Sequence, residues 1–368
     1  MITRGFNKQG GISRYVVELS ERFVKENEIY LLTINYNYVI SDLIVHKKLA
    51  IKKPYLLHIL FDIYYNAKYS ERMKKEGIDI IHSQGTYSKK CDIVTMHSCH
   101  KAWINYYKSW SFTRKLRGVA DPVTFVALSV ERKVLEKASK KIIAVSEGVK
   151  REILENYNVP AEKIDVIPNG VDLEEFKPDV EKRKRIRMKY RIDGNEIVLM
   201  FSGYEFKRKG LRYIIEALPK VKENVKLLVV GRDNLRGYQE LASKLGVLDK
   251  IIFAGFVPEI ADYYAASDIF VFPTAYEAFS LATLEAAASS LPILATKVNG
   301  TEELIDEGYN GFFIKREPED IAEKINILIE DDELRRRMSK NVRKTAEKYP
   351  WDEVAKRTLK VYEEVVKR

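Results

Sequence analysis

Two glutamates, Glu277 and Glu285, flank the predicted start of a helix in a chain of 368 residues. Ser280 is the predicted N-cap, so the amides of Phe279, Ser280 and Leu281 would favour an anion at the helix start. Carboxylates accept hydrogen bonds from hydroxyl groups. This pattern fits a molecule with phosphates between two hydroxyl-bearing ends, such as a nucleotide sugar. The alternative is a solvated helix face.

Three consecutive cations form a second candidate element. Lys207, Arg208 and Lys209 stand between Gly203 and Gly210, just after an apolar run. Arginine and lysine at the end of a strand can neutralise a diphosphate and hold it as a leaving group. A basic loop exposed to solvent is the alternative.

The first half of the chain holds two further candidates. Gly10 and Gly11 precede a predicted helix from Ile12, and such a turn lets backbone approach a phosphate closely. His97 directly follows a predicted strand, where it could donate to a phosphate or lie beside a reacting sugar. The alternatives are an ordinary turn and an ordinary core histidine.

The cysteines are few, and their placement bears on metal binding. Cys91 and Cys99 are too few for a disulfide framework and agree with a reducing compartment. With His97 and His100 they suggest a zinc site, but their spacing does not match that of paired Cys and His ligands. We therefore expect no metal there.

Short apolar runs alternate with amphipathic helical stretches in both halves, which predicts the α/β class with two open, parallel sheets. The predicted strands of the first half are Ile29–Ile34, Ile78–His82, Asp92–Met96, Lys141–Val145 and Asp165–Ile167. Those of the second half are Ile197–Phe201, Val225–Val230, Ile251–Ala254, Ile269–Phe272, Ile293–Ala295 and Phe312–Ile314.

The chain length favours two domains, because single cores stop growing at about 250 to 300 residues. The turn-rich stretch Pro168–Asp172 marks the boundary, and the helix 351–368 could cross back onto the first domain. Only Met1–Arg4 has strand character before the Gly10 turn, so either the first strand is very short or the chain begins downstream of its true start. No apolar run is long enough for a membrane helix, which predicts a cytoplasmic protein.

The charge is uneven: residues 1–170 carry 28 Lys plus Arg against 18 Asp plus Glu, and the rest carry 35 against 35. The stretch 101–117 combines five cations with aromatic residues and no acid, which is typical of a peripheral membrane contact. Packing of these aromatics on their own domain is the alternative. Dispersed cations without a recognition motif argue against nucleic acid, and no Gly-x-Gly-x-x-Gly supports a dinucleotide oxidoreductase.

Taken in order, the motifs resemble the family 4, or group 1, glycosyltransferases of GT-B fold. They are Gly10-Gly11 with Arg14 and Glu18, Val94–His97, Ile143–Ser146, Val166–Asp172, Arg208–Gly210, the pair Glu277 and Glu285, and Asn299-Gly300 with Glu303. The resemblance implies two Rossmann-like domains whose parallel sheets face across a cleft. It also implies retention of anomeric configuration and no metal or other cofactor.

The resemblance assigns roles residue by residue. Glu277, Lys209, Arg208 and His97 would form the catalytic set, with the cations at the diphosphate and His97 near the sugar. The donor-binding set would be Gly11, Gly203, Ala278, Phe279, Ser280, Leu281, Glu285, Asn299, Gly300 and Glu303. Within it, Glu285 would bind the ribose hydroxyls, and Asn299, Gly300 and Glu303 would support the base and ribose pocket.

The resemblance thus implies transfer of a hexosyl group from a UDP- or GDP-linked sugar to a hydroxyl of a glycan, lipid-linked sugar or small molecule, as in cell-surface glycan or glycolipid synthesis. Residues 1–170 would be the acceptor-side domain, and 171–350 the donor-binding domain. Tyr204 stands where many members have arginine. A non-catalytic relative that only binds the nucleotide sugar is therefore the alternative.

Overall fold

The structure is a computed structural model, and it describes residues 1–8, 10–47, 55–109, 122–222 and 224–367. The chain divides into two compact units. The first comprises Met1–Gly170 and Trp351–Arg368, and the second comprises Val171–Pro350. Each unit is an α/β fold around parallel strands, which confirms the predicted class.

The strands of the first unit are β1 Gly5–Phe6, β2 Ile29–Thr33, β3 Asn35–Tyr36, β4 Leu43–Lys47, β5 His82–Gln84, β6 Ile93–Met96, β7 Lys141–Ala144 and β8 Ile164–Val166. β2 pairs with β4, and β5 to β8 pair in chain order, all in parallel. Ile2 makes parallel bridges with Leu32 and Ser83 and so joins these two groups. The predicted short first strand is thus a single bridging residue.

The strand predicted at Ile78–His82 is wrong in its bounds. Residues before it close the end of a helix, because the amide of Ile78 donates to the carbonyl of Met73 at 3.0 Å and Gly77 has a φ of +92°. The strand therefore begins at His82, and Gln84 belongs to it.

The helices of the first unit are α1 Gly11–Phe23, α2 Tyr55–Lys75, α3 His100–Ser109, α4 Pro122–Lys133, α5 Glu147–Asn156 and, after the second unit, α15 Trp351–Val366. A π-helical turn, Val134–Ala138, and a 3-10 turn, Ala161–Lys163, complete the described elements. α15 packs against α1, with the rings of Phe23 and Tyr362 5.6 Å apart. Trp351 is buried beside Gly170, where an added Cβ would lie 2.7 Å from its ring.

The second unit has one six-stranded parallel sheet. Its strands are β9 Ile197–Tyr204, β10 Val225–Arg232, β11 Ile251–Gly255, β12 Ile269–Phe272, β13 Ile293–Ala295 and β14 Gly311–Phe313. The order β11-β10-β9-β12-β13-β14 is that of a Rossmann fold, whose ligands bind at the carboxyl ends of strands where the order reverses. Here that point lies between β9 and β12.

Helices complete the second unit. They are α6 Val180–Lys189, α7 Phe206–Lys209, α8 Leu211–Ala217, α9 Arg236–Lys244, α10 Ile260–Ala265, α11 Leu281–Ala288, α12 Thr301–Leu304, α13 Pro318–Glu330 and α14 Asp332–Ala346, with 3-10 turns at Leu218–Lys220 and Leu248–Lys250. Residues Val198 to Phe201 of β9 are fully buried, as expected for a central parallel strand covered on both faces.

His82 should make the first unit sensitive to acid. Burial lowers its pKa to about 3, whereas an unfolded chain takes up the proton near its ordinary value of about 6.5. Stability is therefore complete above about pH 6.5 and falls as the pH drops towards 3, by about 1.4 kcal/mol per pH unit for each proton. All three tryptophans, Trp103, Trp110 and Trp351, belong to the first unit, so tryptophan fluorescence during urea unfolding monitors it.

We expect the urea midpoint to drop between about pH 7 and about pH 4.5, and to drop less in His82→Gln. An equal drop in the two proteins would contradict the role given to His82.

Candidate active site

Three predicted catalytic residues of the second unit meet at the ends of β9 and β12. Oε1 of Glu277 accepts from Nη1 of Arg208 at 2.9 Å and from Nζ of Lys209 at 3.2 Å. The hydroxyl of Thr274 donates to the same oxygen at 3.0 Å. The structure thus brings Glu277 together with both cations at the point where the strand order reverses.

Burial and the neighbouring charges act in opposite directions on the groups of this cluster. Burial alone would raise the pKa of Glu277, but Lys209 and Arg208 outweigh it and hold that pKa below its ordinary value. Burial lowers the pKa of Lys209, and Glu277 opposes this effect. Arg208 also pairs with Glu205, which is mostly exposed to solvent, at 3.0 Å. Two cations therefore share one buried carboxylate, and such a group attracts a further anion.

Two glycines allow the loops to approach one another. Gly203 has a φ of +141°, and an added Cβ would lie 2.5 Å from Cδ of Lys209, whose side chain crosses it. Gly210 has a φ of +83°, and its added Cβ would lie 2.2 Å from the carbonyl oxygen of Pro273. The amide of Ala275 donates to the carbonyl of Arg208 at 3.0 Å. Glycine at these positions therefore lets the cation loop lie directly against the glutamate loop.

The helix α11 begins directly after the loop that carries Glu277. Ser280 is its N-cap, as predicted, and accepts from the amide of Thr283 at 3.2 Å. Within the described ranges, the amides of Phe279, Ser280 and Leu281 have no acceptor. Free amides at a helix start favour an anion.

The loop with Gly300 supports this helix start. Gly300 has a φ of +78°, and an added Cβ would lie 2.6 Å from Cα of Phe279 and 3.2 Å from the amide nitrogen of Ser280. Asn299 and Glu303, also predicted to bind the donor, flank it and are half-buried. Gly300 therefore permits a backbone contact that a side chain would block.

Glu285 lies in the second turn of α11. Its Oε2 accepts from the hydroxyl of Tyr264 at 3.2 Å, and that hydroxyl lies 2.7 Å from the hydroxyl of Ser202. Tyr264 is fully buried and therefore fixes the carboxylate. Sequence reasoning missed Thr274, Tyr264 and Ser202; only Thr274, two residues after β12, carried a positional signal.

The remaining predicted residues, Gly11 and His97, belong to the first unit. Gly11 is the first residue of α1, and its N-cap Gly10 is extended. His97 follows β6 and lies 3.0 Å through Nε2 from Oε1 of Gln84. Burial lowers the pKa of His97 to about 3, so its ring is neutral at neutral pH.

A cavity of about 300 Å³ lies beside His97 within the first unit. Its lining includes Gln84, Tyr87, His100 and Glu131. Polar and apolar side chains thus share the wall of a space large enough for a small ligand.

The zinc alternative finds no geometric support. In the part of the chain that the structure describes, no three His, Cys, Asp or Glu side chains are grouped as metal ligands. Cys91 and Cys99 are both buried free thiols. The absence of a metal requirement remains a prediction.

The basic aromatic stretch is described only in part. Residues 101–109 lie in α3, whereas 110–117 lie outside the described residues. Trp103 stacks between His100 and Tyr107, with ring centroids 5.9 and 4.9 Å away. Among the helices described, none has the length and apolar character needed to span a bilayer.

Known proteins resemble the chain over nearly its whole length. An uncharacterized glycosyltransferase of Methanocaldococcus jannaschii is 29% identical, with 96% of this chain and 94% of that protein covered. The structure of WaaG, a glycosyltransferase involved in lipopolysaccharide biosynthesis, matches with a TM-score of 0.83 at 20% identity, covering 98% of both chains. Anabaena HepE, in complex with UDP and glucose, matches with a TM-score of 0.73 at 17% identity, covering 99% of this chain and 98% of that one.

Family models match both halves of the chain. Residues 9–175 match the model described as Glycosyltransferase Family 4, and residues 182–345 match Glycosyl transferases group 1. The motifs that suggested this family lie in the matched ranges, and the two parallel-sheet units agree with the GT-B fold of the structural neighbours. The chain therefore belongs to the family 4, group 1 glycosyltransferases and is an enzyme of GT-B fold.

Proposed function

We propose that the second unit binds the diphosphate of a nucleotide sugar between the cation pair and the start of α11. The observation that carries this proposal is the convergence of Arg208 and Lys209 on Glu277, on a loop that leads into a helix with free amides. Cations and free amides stabilise the negative charge that grows on a leaving diphosphate. The complex of HepE with UDP and glucose supports a donor of this class.

The other donor-binding residues would hold the two ends of the same molecule. Glu277 and the backbone of Ala278–Leu281 would contact the sugar and the phosphate next to it. Glu285, fixed by Tyr264, would accept hydrogen bonds from the ribose hydroxyls. Gly203, Asn299, Gly300 and Glu303 would line the remainder of the donor site.

The first unit would bind the acceptor. Its cavity has the size and mixed polarity suited to a hydroxyl-bearing compound, and Gly11 and His97 would meet the donor from this unit. The basic first half favours an acidic or membrane-associated acceptor. Flotation with anionic vesicles at low salt tests the membrane contact predicted for residues 101–117, and that prediction is wrong if the protein does not rise with the vesicles.

The reaction would retain the anomeric configuration without a metal. The bond from the anomeric carbon to the phosphate oxygen breaks, and the acceptor oxygen bonds to that carbon on the same face. The acceptor proton passes to the departing phosphate, which the cations and the amides hold in place. The protein would contribute positioning and charge stabilisation.

A thermal-shift panel of UDP-, GDP- and ADP-sugars tests donor binding, because a ligand of the folded state raises the melting temperature. The donor that stabilises most is then tested for acceptor-dependent nucleotide release. No stabilisation by any of them would refute the donor site. Stabilisation without nucleotide release, across a panel of hydroxyl acceptors, would exclude those hydroxyls as acceptors.

Glu285→Ala should weaken binding of that donor. Loss of charge-assisted hydrogen bonds to ribose costs about 1.5–3 kcal/mol, or roughly 10- to 100-fold in Kd by calorimetry. Glu333→Ala, on the exposed first turn of α14, is the matched control and should bind normally. Equal affinity in the two variants would exclude Glu285 from the donor site.

A further inference from the structure

Four side chains of the first unit form a continuous chain of polar contacts. Nδ1 of His82 lies 2.7 Å from the hydroxyl of Tyr362, and Nε2 of His82 lies 3.3 Å from the amide nitrogen of Gln84. The amide oxygen of Gln84 lies 3.0 Å from Nε2 of His97. The chain therefore connects α15, through β5, to a predicted catalytic histidine.

Because Gln84 is buried, its amide group must find its hydrogen-bond partners within the protein. Gln84 is 0% exposed and His82 is 1% exposed. A buried amide without hydrogen-bond partners costs free energy, so both ends of this side chain are tied to their histidines. The hydroxyl of Thr95, 2.7 Å from Nε2 of His82, holds that imidazole in turn.

This orientation selects the tautomer of His97. The amide oxygen of Gln84 can only accept, so Nε2 of His97 must carry the proton that it donates. A neutral imidazole carries one proton, and Nδ1 is then left with a lone pair. His97 is thus an acceptor at Nδ1.

Nδ1 is accessible to a ligand. Across the described ranges, no group hydrogen-bonds to Nδ1 of His97. That nitrogen is also not one of the polar side-chain atoms that are buried without a hydrogen-bond partner. The ring lines the cavity of the first unit, and Tyr15 packs edge-on against it at 5.0 Å. Nδ1 is therefore the nitrogen that His97 can offer to a molecule in the cavity.

We propose that Gln84, oriented by His82, is a positioning residue that holds His97 as a hydrogen-bond acceptor for a substrate hydroxyl. The identity of that substrate rests on the proposed function: the hydroxyl belongs to the donor sugar or to the acceptor. A fully ionised diphosphate has no proton to give to Nδ1. Of the two roles predicted for His97, the proposal therefore favours the sugar over the phosphate.

Long-range proton–nitrogen NMR spectra of the whole protein, labelled with nitrogen-15 histidine, test the tautomer. The chain has five histidines, and His97→Asn assigns the signals of His97. We expect a neutral ring protonated on Nε2 in the wild type and a mixture of tautomers in Gln84→Leu. Gln84→Glu should keep the proton on Nε2, because a carboxylate also accepts.

Ser83→Ala is the matched control, since Ser83 lies in the same strand and its hydroxyl donates to the carbonyl of Gly85, directly after that strand. It should leave the His97 signals unchanged. A proton on Nδ1 in the wild type, or the same tautomer in Gln84→Leu, would overturn the proposal.

Ligand additions identify the hydroxyl. A shift of the Nδ1 signal with UDP-glucose or GDP-mannose, but not with UDP or GDP, assigns it to the donor sugar. A shift with methyl glucoside alone assigns it to the acceptor, and no shift with any of these probes overturns the contact. Should no nucleotide sugar bind in the thermal-shift panel, the proposed function fails while the tautomer spectra still test Gln84.

Kinetics supply a second readout once a donor is known. Gln84→Leu should lower kcat by about 10- to 100-fold with little change in the donor KM, because a misplaced ring disturbs the reacting geometry. Gln84→Glu should recover most of that rate at neutral pH. Equal loss in the two variants would indicate a purely structural role for Gln84.

Discussion

Lys209→Ala is expected to lower turnover by about 10²- to 10³-fold, the loss seen when one preorganised donor to a developing oxyanion is removed. Lys209 donates to Glu277 from a buried position and crosses Gly203, so few other groups can replace it. The measurement is nucleotide release with the donor that stabilises the protein most. Circular dichroism checks that the variant is folded.

Lys207→Ala is the matched control for this variant. Lys207 belongs to the same short helix but is exposed, and its backbone carbonyl accepts from Arg316. It should turn over normally. Glu277→Ala should also lower turnover severely. This change also leaves Arg208 and Lys209 without the carboxylate that they share. Wild-type rates in both Lys209→Ala and Glu277→Ala would refute the site.

Gly300→Ala is expected to weaken both the second unit and its donor binding. A side chain costs about 1–2 kcal/mol in the left-handed helical region, and Gly300, with φ +78° and ψ −43°, lies outside even that region. Forcing atoms into a filled space adds about 1–3 kcal/mol. The added Cβ would lie 2.6 Å from Cα of Phe279, so relief requires the start of α11 to move. Donor affinity should then fall at least about 10-fold, since the free amides move with it.

Gly308→Ala is a control that adds a side chain at a positive φ without forcing atoms into a filled space. Gly308 has a φ of +77°, close to that of Gly300, but an added Cβ there has no atom within 4 Å. Urea unfolding followed by circular dichroism should therefore show a smaller loss for Gly308→Ala, and calorimetry should show normal donor affinity. Equal stability and affinity in the two variants would mean that the Gly300 contact does not shape the site.

The sequence predicted the strands of the second unit well because they are apolar and bounded by turns. It also placed Glu277 and Lys209 at the ends of strands, where ligands bind in this class of fold. Periodicity does not reveal which strands are neighbours, so the contact between these two residues became visible only from the adjacency of β9 and β12. The role of each remains a prediction.

The first unit was harder to predict. The apolar run before His82 suggested a strand there, but residues 78–81 form the connection that follows α2, and Gln84 was assigned to no element. The strand predicted at Met1–Arg4 is one bridging residue, Ile2, which no pattern of alternation could identify. The polar chain from Tyr362 to His97 joins residues 265 positions apart and has no local signal.

The return of α15 to the first unit has a consequence for synthesis on the ribosome. Residues 1–170 lack the helix that covers Phe23 and buries Trp351 against Gly170 until the whole second unit has been translated. The second unit, by contrast, is one uninterrupted segment that can fold as soon as it emerges. The first unit is therefore begun first and completed last. Until α15 has been translated, the apolar surface of residues 1–170 that α15 covers is exposed to chaperones and to aggregation.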